Sequence, residues 1–132
     1  MPYYELSIET HFSAAHQLRG YPGDCARLHG HNWHVKLFVC CTVLDELGLG
    51  IDYKIMKSEL KQALEKWDHY NLNDIKPFDT INPSSENVAR LLFEAMKERL
   101  DNDRLHVSRV EIAETCTAKV SYWAKDLAYI GG

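Results

Sequence analysis

Residues 4–16 alternate, with Tyr4, Leu6, Ile8, Thr10, Phe12 and Ala14 at even positions and Glu5, Ser7, Glu9 and His11 at odd ones. Successive side chains of a strand point to opposite faces, so this period of two predicts a long strand with one buried face. A second alternation runs from His31 to Cys41, where Trp33, Val35, Leu37 and Val39 face one way and Asn32, His34 and Lys36 the other. Between them Gly20, Pro22 and Gly23 mark a turn region, and the two strands form a hairpin with a long loop. Any fold for this chain must cover one face of that hairpin.

The cover follows in sequence. Asp52 is placed to cap a helix whose apolar positions Met56, Leu60, Ala63, Leu64 and Trp67 recur at three- and four-residue spacing, ending near Asn71 to Asn73. Asn82-Pro83-Ser84-Ser85 supplies cap chemistry for a second helix with Val88, Leu91, Leu92, Ala95 and Met96 on its inner stripe. Strands over about 105–114 and 119–123 close the chain. The order β-β-α-α-β-β predicts an α+β fold, a four-stranded antiparallel sheet with two helices on one face. Four strands leave two open edges, which a small sheet manages by joining its neighbours.

Residues 1–132 are one domain by length, without internal repeats or linkers. No apolar run approaches the roughly 18 residues of a membrane span and no signal peptide is present, so a cytoplasmic protein is expected. A formal net charge of −4, with no basic block, argues against nucleic acid as a partner. Four cysteines are too few for a secreted disulfide framework, and only Cys25 has histidine-rich neighbours. Cys40 and Cys41 read as small packed strand residues.

Those neighbours carry the chemistry. In CARLHGHNWH, His29 and His31 share the parity of the apolar face of the second strand, and His16 shares that of the first. Any one of them alone reads as a hydrogen-bonded core histidine, but three imidazoles on one face of one hairpin read as a zinc site. Gly30 is expected to keep the backbone between the pair uncrowded. His34 lies on the opposite parity, His11 on the polar side of its strand, and His106 carries no partner signal in the sequence, so these three are read as ordinary hydrogen-bonded histidines. Three histidines leave a tetrahedral ion one open position, the catalytic pattern. A thiolate at Cys25 either closes that position or stands beside the metal as a base, and spacing does not choose.

Asp68-His69, in WDHY, places a carboxylate beside an imidazole, either for proton transfer or as a capped and solvated helix end. Glu114 follows Val110 and Ile112 on one parity, which aims a carboxylate inward unless the strand face is misjudged. Gly48-Leu49-Gly50 lacks the third glycine and the βαβ setting of a dinucleotide loop, and is read as a turn.

FSAAH, CxxxHGH, GIDYKIMK, WDHYNLND, NPSSEN and AETCTA, in that order over nearly the whole chain, resemble the 6-pyruvoyl-tetrahydropterin synthase family. Within it, the match is closest to the bacterial branch that makes 6-carboxy-5,6,7,8-tetrahydropterin for queuosine biosynthesis. The resemblance implies the tunnelling fold (T-fold), assembled into a barrel, as a homo-hexamer built from two trimers with active sites between subunits. It implies Zn2+ on His16, His29 and His31, and Cys25 as a proton-abstracting thiolate off the metal. It further implies Asp68 with His69 as the acid/base partner and Glu114 as the anchor of the pterin's amino-pyrimidine edge.

The substrate implied is 7,8-dihydroneopterin triphosphate, and the enzyme a lyase that releases acetaldehyde and triphosphate. The three residues between Cys25 and His29 look like the carboxy-forming pattern; the alternative product is 6-pyruvoyl-tetrahydropterin. Arg27 and Lys119 are candidates for the triphosphate from charge alone. A reading of another class is a non-catalytic zinc-stabilised binding module with Cys25 as fourth ligand, in which Cys25→Ala loses zinc and unfolds.

Overall fold

The computed structural model describes residues 2–23 and 26–125. The hairpin is there: β1 covers Tyr4–His16 and β2 covers His29–Cys41. They run antiparallel, with Tyr4 opposite Cys41 and His16 opposite His29. The parity of the sequence becomes a burial pattern. Ile8, Phe12, Ala14, Trp33, Val35, Leu37 and Val39 are all buried in one apolar core, the larger aliphatic and phenyl side chains each contributing on the order of 1.5–3 kcal/mol by leaving water.

Two helices cover that face. In α1 (Tyr53–Leu64) Asp52 accepts from the Lys54 N–H as the cap, and Met56, Leu60, Ala63 and Leu64 are buried. In α2 (Ser85–Leu100) Ser84 caps through the Asn87 N–H, and the buried stripe is Val88, Ala89, Leu92, Phe93, Met96 and Leu100. Leu91 and Ala95 lie at its half-buried margin. The helix α1 lies over β1, and α2 lies over the strands that follow it.

The first helix ends at Leu64 instead of near Asn71. Trp67 remains buried, with its ring 6.1 Å from Phe12 and 5.7 Å from Phe78, but it sits in a turn beyond the helix. Long-range bonds decide this. The Ser13 N–H donates to Asp68 Oδ1 at 2.9 Å, and the His69 N–H donates to the Ser13 carbonyl at 2.6 Å. These bonds pull residues 68 and 69 onto β1, and His69 takes a left-handed backbone (φ 69°) that no helix continues.

A two-residue β3 (Tyr70–Asn71) follows and pairs in parallel with Ala14 and Ala15. The remaining strands are β4 (His106–Thr115) and β5 (Ala118–Trp123). The sheet therefore has five strands, in the order β3-β1-β2-β4-β5, rather than four. The extra one is too short to show a period in sequence.

Two irregularities re-aim β4. Phe38 and Val39 of β2 pair with Arg109 and Val107, so Ser108 is an inserted residue. Ala113 and Thr115 pair with Lys119 and Ala118, which makes Glu114 the inserted residue against β5. Bulges of this kind turn a side chain out of the regular alternation.

Candidate active site

The three histidines meet at one end of the core. His16 and His29 face each other across the hairpin, and His31 stands opposite Ala14, two residues further along β2. Ring centroids lie 4.6 Å apart for His16 and His29, 5.2 Å for His16 and His31, and 4.8 Å for His29 and His31. Trp33 forms the floor, fully buried, with its ring 4.8 Å from His16 and 5.6 Å from His31. Its Nε1–H donates to the Ala14 carbonyl at 3.1 Å. Gly30 is not sterically required between the pair, because a Cβ there would meet nothing within 4 Å.

Two backbone carbonyls orient the rings. His16 Nδ1 donates to the Pro83 carbonyl at 2.6 Å, and His29 Nδ1 donates to the Arg27 carbonyl at 2.7 Å. A carbonyl only accepts, so each ring carries a proton on Nδ1, and in the neutral imidazole the Nε2 atom then holds the lone pair. The Nε2 atoms of His16 and His31 are buried without a hydrogen-bond partner. Left so, each costs on the order of 1–3 kcal/mol.

The ligand atoms of the three lie within 4.8 Å of one another. Zinc bonds of about 2.0–2.1 Å at tetrahedral angles hold nitrogens about 3.4 Å apart, a closure of rotamer size. Three converging imidazoles, two of them oriented through Nδ1 by carbonyls and two with buried, unpartnered Nε2 atoms, fit zinc.

Burial, the largest influence on both, lowers the His16 and His31 pKa values below the usual 6.5, against an opposing pull from Glu114. His31 Nε2 is 3.5 Å from Glu114 Oε2, too poorly placed to count as a hydrogen bond. With a neutral imidazole this is not an ion pair either. The pH dependence of the metal-free protein follows. Below about pH 6.5 the unfolded chain binds protons at these positions before the folded one, so stability is complete above that value and falls as pH drops toward the folded pKa values. Urea titrations of metal-free protein at pH 7.5 and pH 5.5 should give a lower midpoint at pH 5.5. His16→Gln should flatten the difference.

Glu114, half-buried with its carboxylate 29% exposed, reaches the cluster because its bulge turns it toward His31. Asp68 and His69 form a contact of 3.0 Å between Asp68 Oδ1 and His69 Nδ1. Asp68 Oδ1 also accepts the Ser13 N–H, so it is fixed while His69 is 80% exposed. A cleft of about 520 Å³ is lined by His31 and His69 together with Gly30, Asn32, Tyr70 and Asn71, a volume suited to a small molecule. Glu114 does not line it.

Cys25 lies outside the described residues. Lys119 pairs with Glu111 at 3.5 Å, and Arg27 serves the cluster through its backbone carbonyl. Cys40 and Cys41 are buried free thiols, and burial raises the Cys40 pKa. His11 and His34 stand together on the other face of the hairpin, with rings 6.1 Å apart. His106, for which the sequence carries no partner signal, lies 3.9 Å from Asp101.

The sequence reading missed the supports: the carbonyls of Pro83 and Arg27, the Ser13 backbone under Asp68, and Trp33 under the rings. Backbone acceptors leave no residue signature. The one visible hint was NPSS, where a single helix cap needs fewer polar residues than are present.

A family model described as 6-pyruvoyl tetrahydropterin synthase matches residues 5–125. The chain is 35% identical over 125 residues to a 6-carboxy-5,6,7,8-tetrahydropterin synthase of Synechocystis, covering 91% of this chain and 93% of that protein. It is 31% identical over 132 residues to the protein of that name from Bacillus subtilis, covering 94% and 88% of the two chains. Among solved structures, the 6-pyruvoyl tetrahydropterin synthase of Caenorhabditis elegans superposes with a TM-score of 0.83 at 30% identity, over 95% of this chain and 98% of that one. Its sheet and helices are thus those of a T-fold. Sequence and structure agree that the chain belongs to the 6-pyruvoyl tetrahydropterin synthase family of lyase-type enzymes.

Proposed function

We propose that this protein converts 7,8-dihydroneopterin triphosphate to 6-carboxy-5,6,7,8-tetrahydropterin, releasing acetaldehyde and triphosphate, with zinc held by His16, His29 and His31. The observation that carries this reading is the convergence of three imidazoles, two with Nδ1 locked on carbonyls and two with buried, unpartnered Nε2 atoms. The 35% identity to a carboxy-forming synthase favours that product. Zinc, when bound, supplies a Lewis acid that polarises the oxygens of the substrate side chain and acidifies the neighbouring C–H bond.

The chain's own groups handle the protons. Asp68 holds His69 through Nδ1, which leaves His69 Nε2 as the atom that takes or returns a proton at the mouth of the cleft. Cys25 is assigned the opposite transfer. Glu114 is assigned the amino-pyrimidine edge of the pterin, where a carboxylate facing two N–H groups makes paired charge-assisted hydrogen bonds. Hydrogen moves between side chain and ring within one substrate, so the redox change is internal.

The assembly we propose is a homo-hexamer of two trimers. Most of the outer edge of β1 carries no strand partner among the described residues, nor does the outer edge of β5, and edges of this kind are closed by neighbouring copies. No helix among the described residues is long and apolar enough to cross a membrane, and we assign the protein to the cytoplasm.

Zinc-loaded protein incubated with 7,8-dihydroneopterin triphosphate should yield 6-carboxytetrahydropterin and acetaldehyde by mass spectrometry. Pyruvoyl-tetrahydropterin alone would give the chain the reaction named for the C. elegans protein, and unchanged substrate would overturn the catalytic reading.

A further inference from the structure

Beyond His16 the chain leaves β1 and is gripped by two asparagines distant in sequence. Asn73 accepts the Gln17 N–H at 2.9 Å and donates Nδ2–H to the Gln17 carbonyl at 3.1 Å. Asn82 does the same to Arg19, at 2.9 and 3.0 Å. Each side-chain amide thus pairs with both backbone groups of one residue, at alternate positions, as a neighbouring strand would. The strand's end is held in register without a strand beside it.

The two grips differ in what they adjoin. Asn82 directly precedes Pro83, whose carbonyl accepts the His16 Nδ1–H, and the Asn82 carbonyl accepts from Asn87 Nδ2 at 2.8 Å. Arg19 adds Nη2–H bonds to the carbonyls of Phe78 at 2.7 Å and Ile81 at 2.8 Å. Asn82, the residue directly before Pro83, is therefore tied to the segment after His16 on one side and to the first turn of α2 on the other. Asn73 bonds the same segment at Gln17, and its side-chain bonds do not reach the Asn82–Pro83 pair.

We propose that Asn82 is a positioning residue for the metal centre: by holding Arg19 beside Pro83 it keeps the Pro83 carbonyl on His16 Nδ1, which fixes the Nδ1–H tautomer and aims the Nε2 lone pair into the cluster. An imidazole released from that carbonyl is free to carry its proton on Nε2, where no lone pair is left for a ligand. Outer partners of this kind set both the orientation and the basicity of a ligating histidine. The inference rests on the zinc reading above for its affinity readout, but its tautomer readout needs no metal.

The test compares wild-type protein, Asn82→Ala and Asn73→Ala. Two quantities are read: the His16 tautomer by two-bond proton–nitrogen correlation in metal-free protein, and the zinc dissociation constant by competition with a chromogenic chelator. Wild-type His16 should show a protonated Nδ1 and an unprotonated Nε2. Asn82→Ala should mix the tautomers and weaken zinc binding roughly 10- to 100-fold. Asn73→Ala, which removes the same two bonds from the same segment, should leave the tautomer unchanged and affinity within about threefold.

Equal losses in the two variants would make Asn82 a merely structural residue and overturn the proposal. So would an Nε2–H tautomer in the wild type, a result that stands even if Asn82→Ala does not fold. A wild type that binds no zinc while Asn82→Ala still mixes the tautomer would retire the zinc reading and leave the clamp in place.

Discussion

Replacing His31 with alanine is expected to empty the metal centre and lower kcat/KM at least about 10³-fold, roughly 4 kcal/mol of transition-state stabilisation. Of the three proposed ligands, His31 is the one whose loss can be read most cleanly. Its side chain is 19% exposed beside the cleft, and no hydrogen bond holds its Nε2. Truncation therefore removes a lone pair and the ring's edge-on packing against His16, His29 and Trp33, but strands no hydrogen-bond partner of Nε2. His16 is a poorer probe, since it is 1% exposed and carries the bond to Pro83; its removal would strand a buried carbonyl and open a cavity.

The check is zinc content and affinity of purified His31→Ala, beside its circular dichroism and thermal midpoint in metal-free form. A folded variant without zinc or activity supports the assignment. Near-wild-type zinc affinity would remove His31 from the metal site.

His69→Asn is expected to lower kcat about 10²- to 10⁴-fold, the range of a lost proton-transfer group, with zinc content unchanged. Asparagine is the informative replacement because His69 sits at φ 69°, a left-handed conformation that asparagine tolerates and alanine resists. The loop should keep its shape while the proton carrier is gone. Asp68→Asn should fall between wild type and His69→Asn. It retains an oxygen for the Ser13 N–H but loses the charge that steadies a protonated His69. Single-turnover kinetics read the chemical step directly, and a His69→Asn rate within tenfold of wild type would exclude His69 as the proton carrier.

The three clustered histidines were legible because their evidence is periodic. Parity along β1 and β2 put His16, His29 and His31 on the core face, and the pairing of His16 with His29 and Ala14 with His31 keeps them there. Glu114 was legible for a weaker reason: its parity pointed inward, yet the bulge between Ala113 and Thr115 controls where it goes. The end of α1 was misread because the apolar spacing runs on to Trp67, which is buried whether or not it is helical. Nothing in WDHYNLND announces that Asp68 will be captured by the backbone of Ser13.

What the sequence by itself determined is the hairpin, its buried face, the two covering helices and the face on which three imidazoles stand, since alternation and helical spacing are local and survive in any tertiary setting. Only the tertiary structure decided how those groups are tuned. The bonds of Asp68 to Ser13 and of His16 to Pro83 join residues 55 and 67 positions apart. One end of each bond is a backbone group, which every residue but proline offers in full and which proline still offers as a carbonyl. Residue identity cannot mark such a partner; only the path of the folded chain selects it.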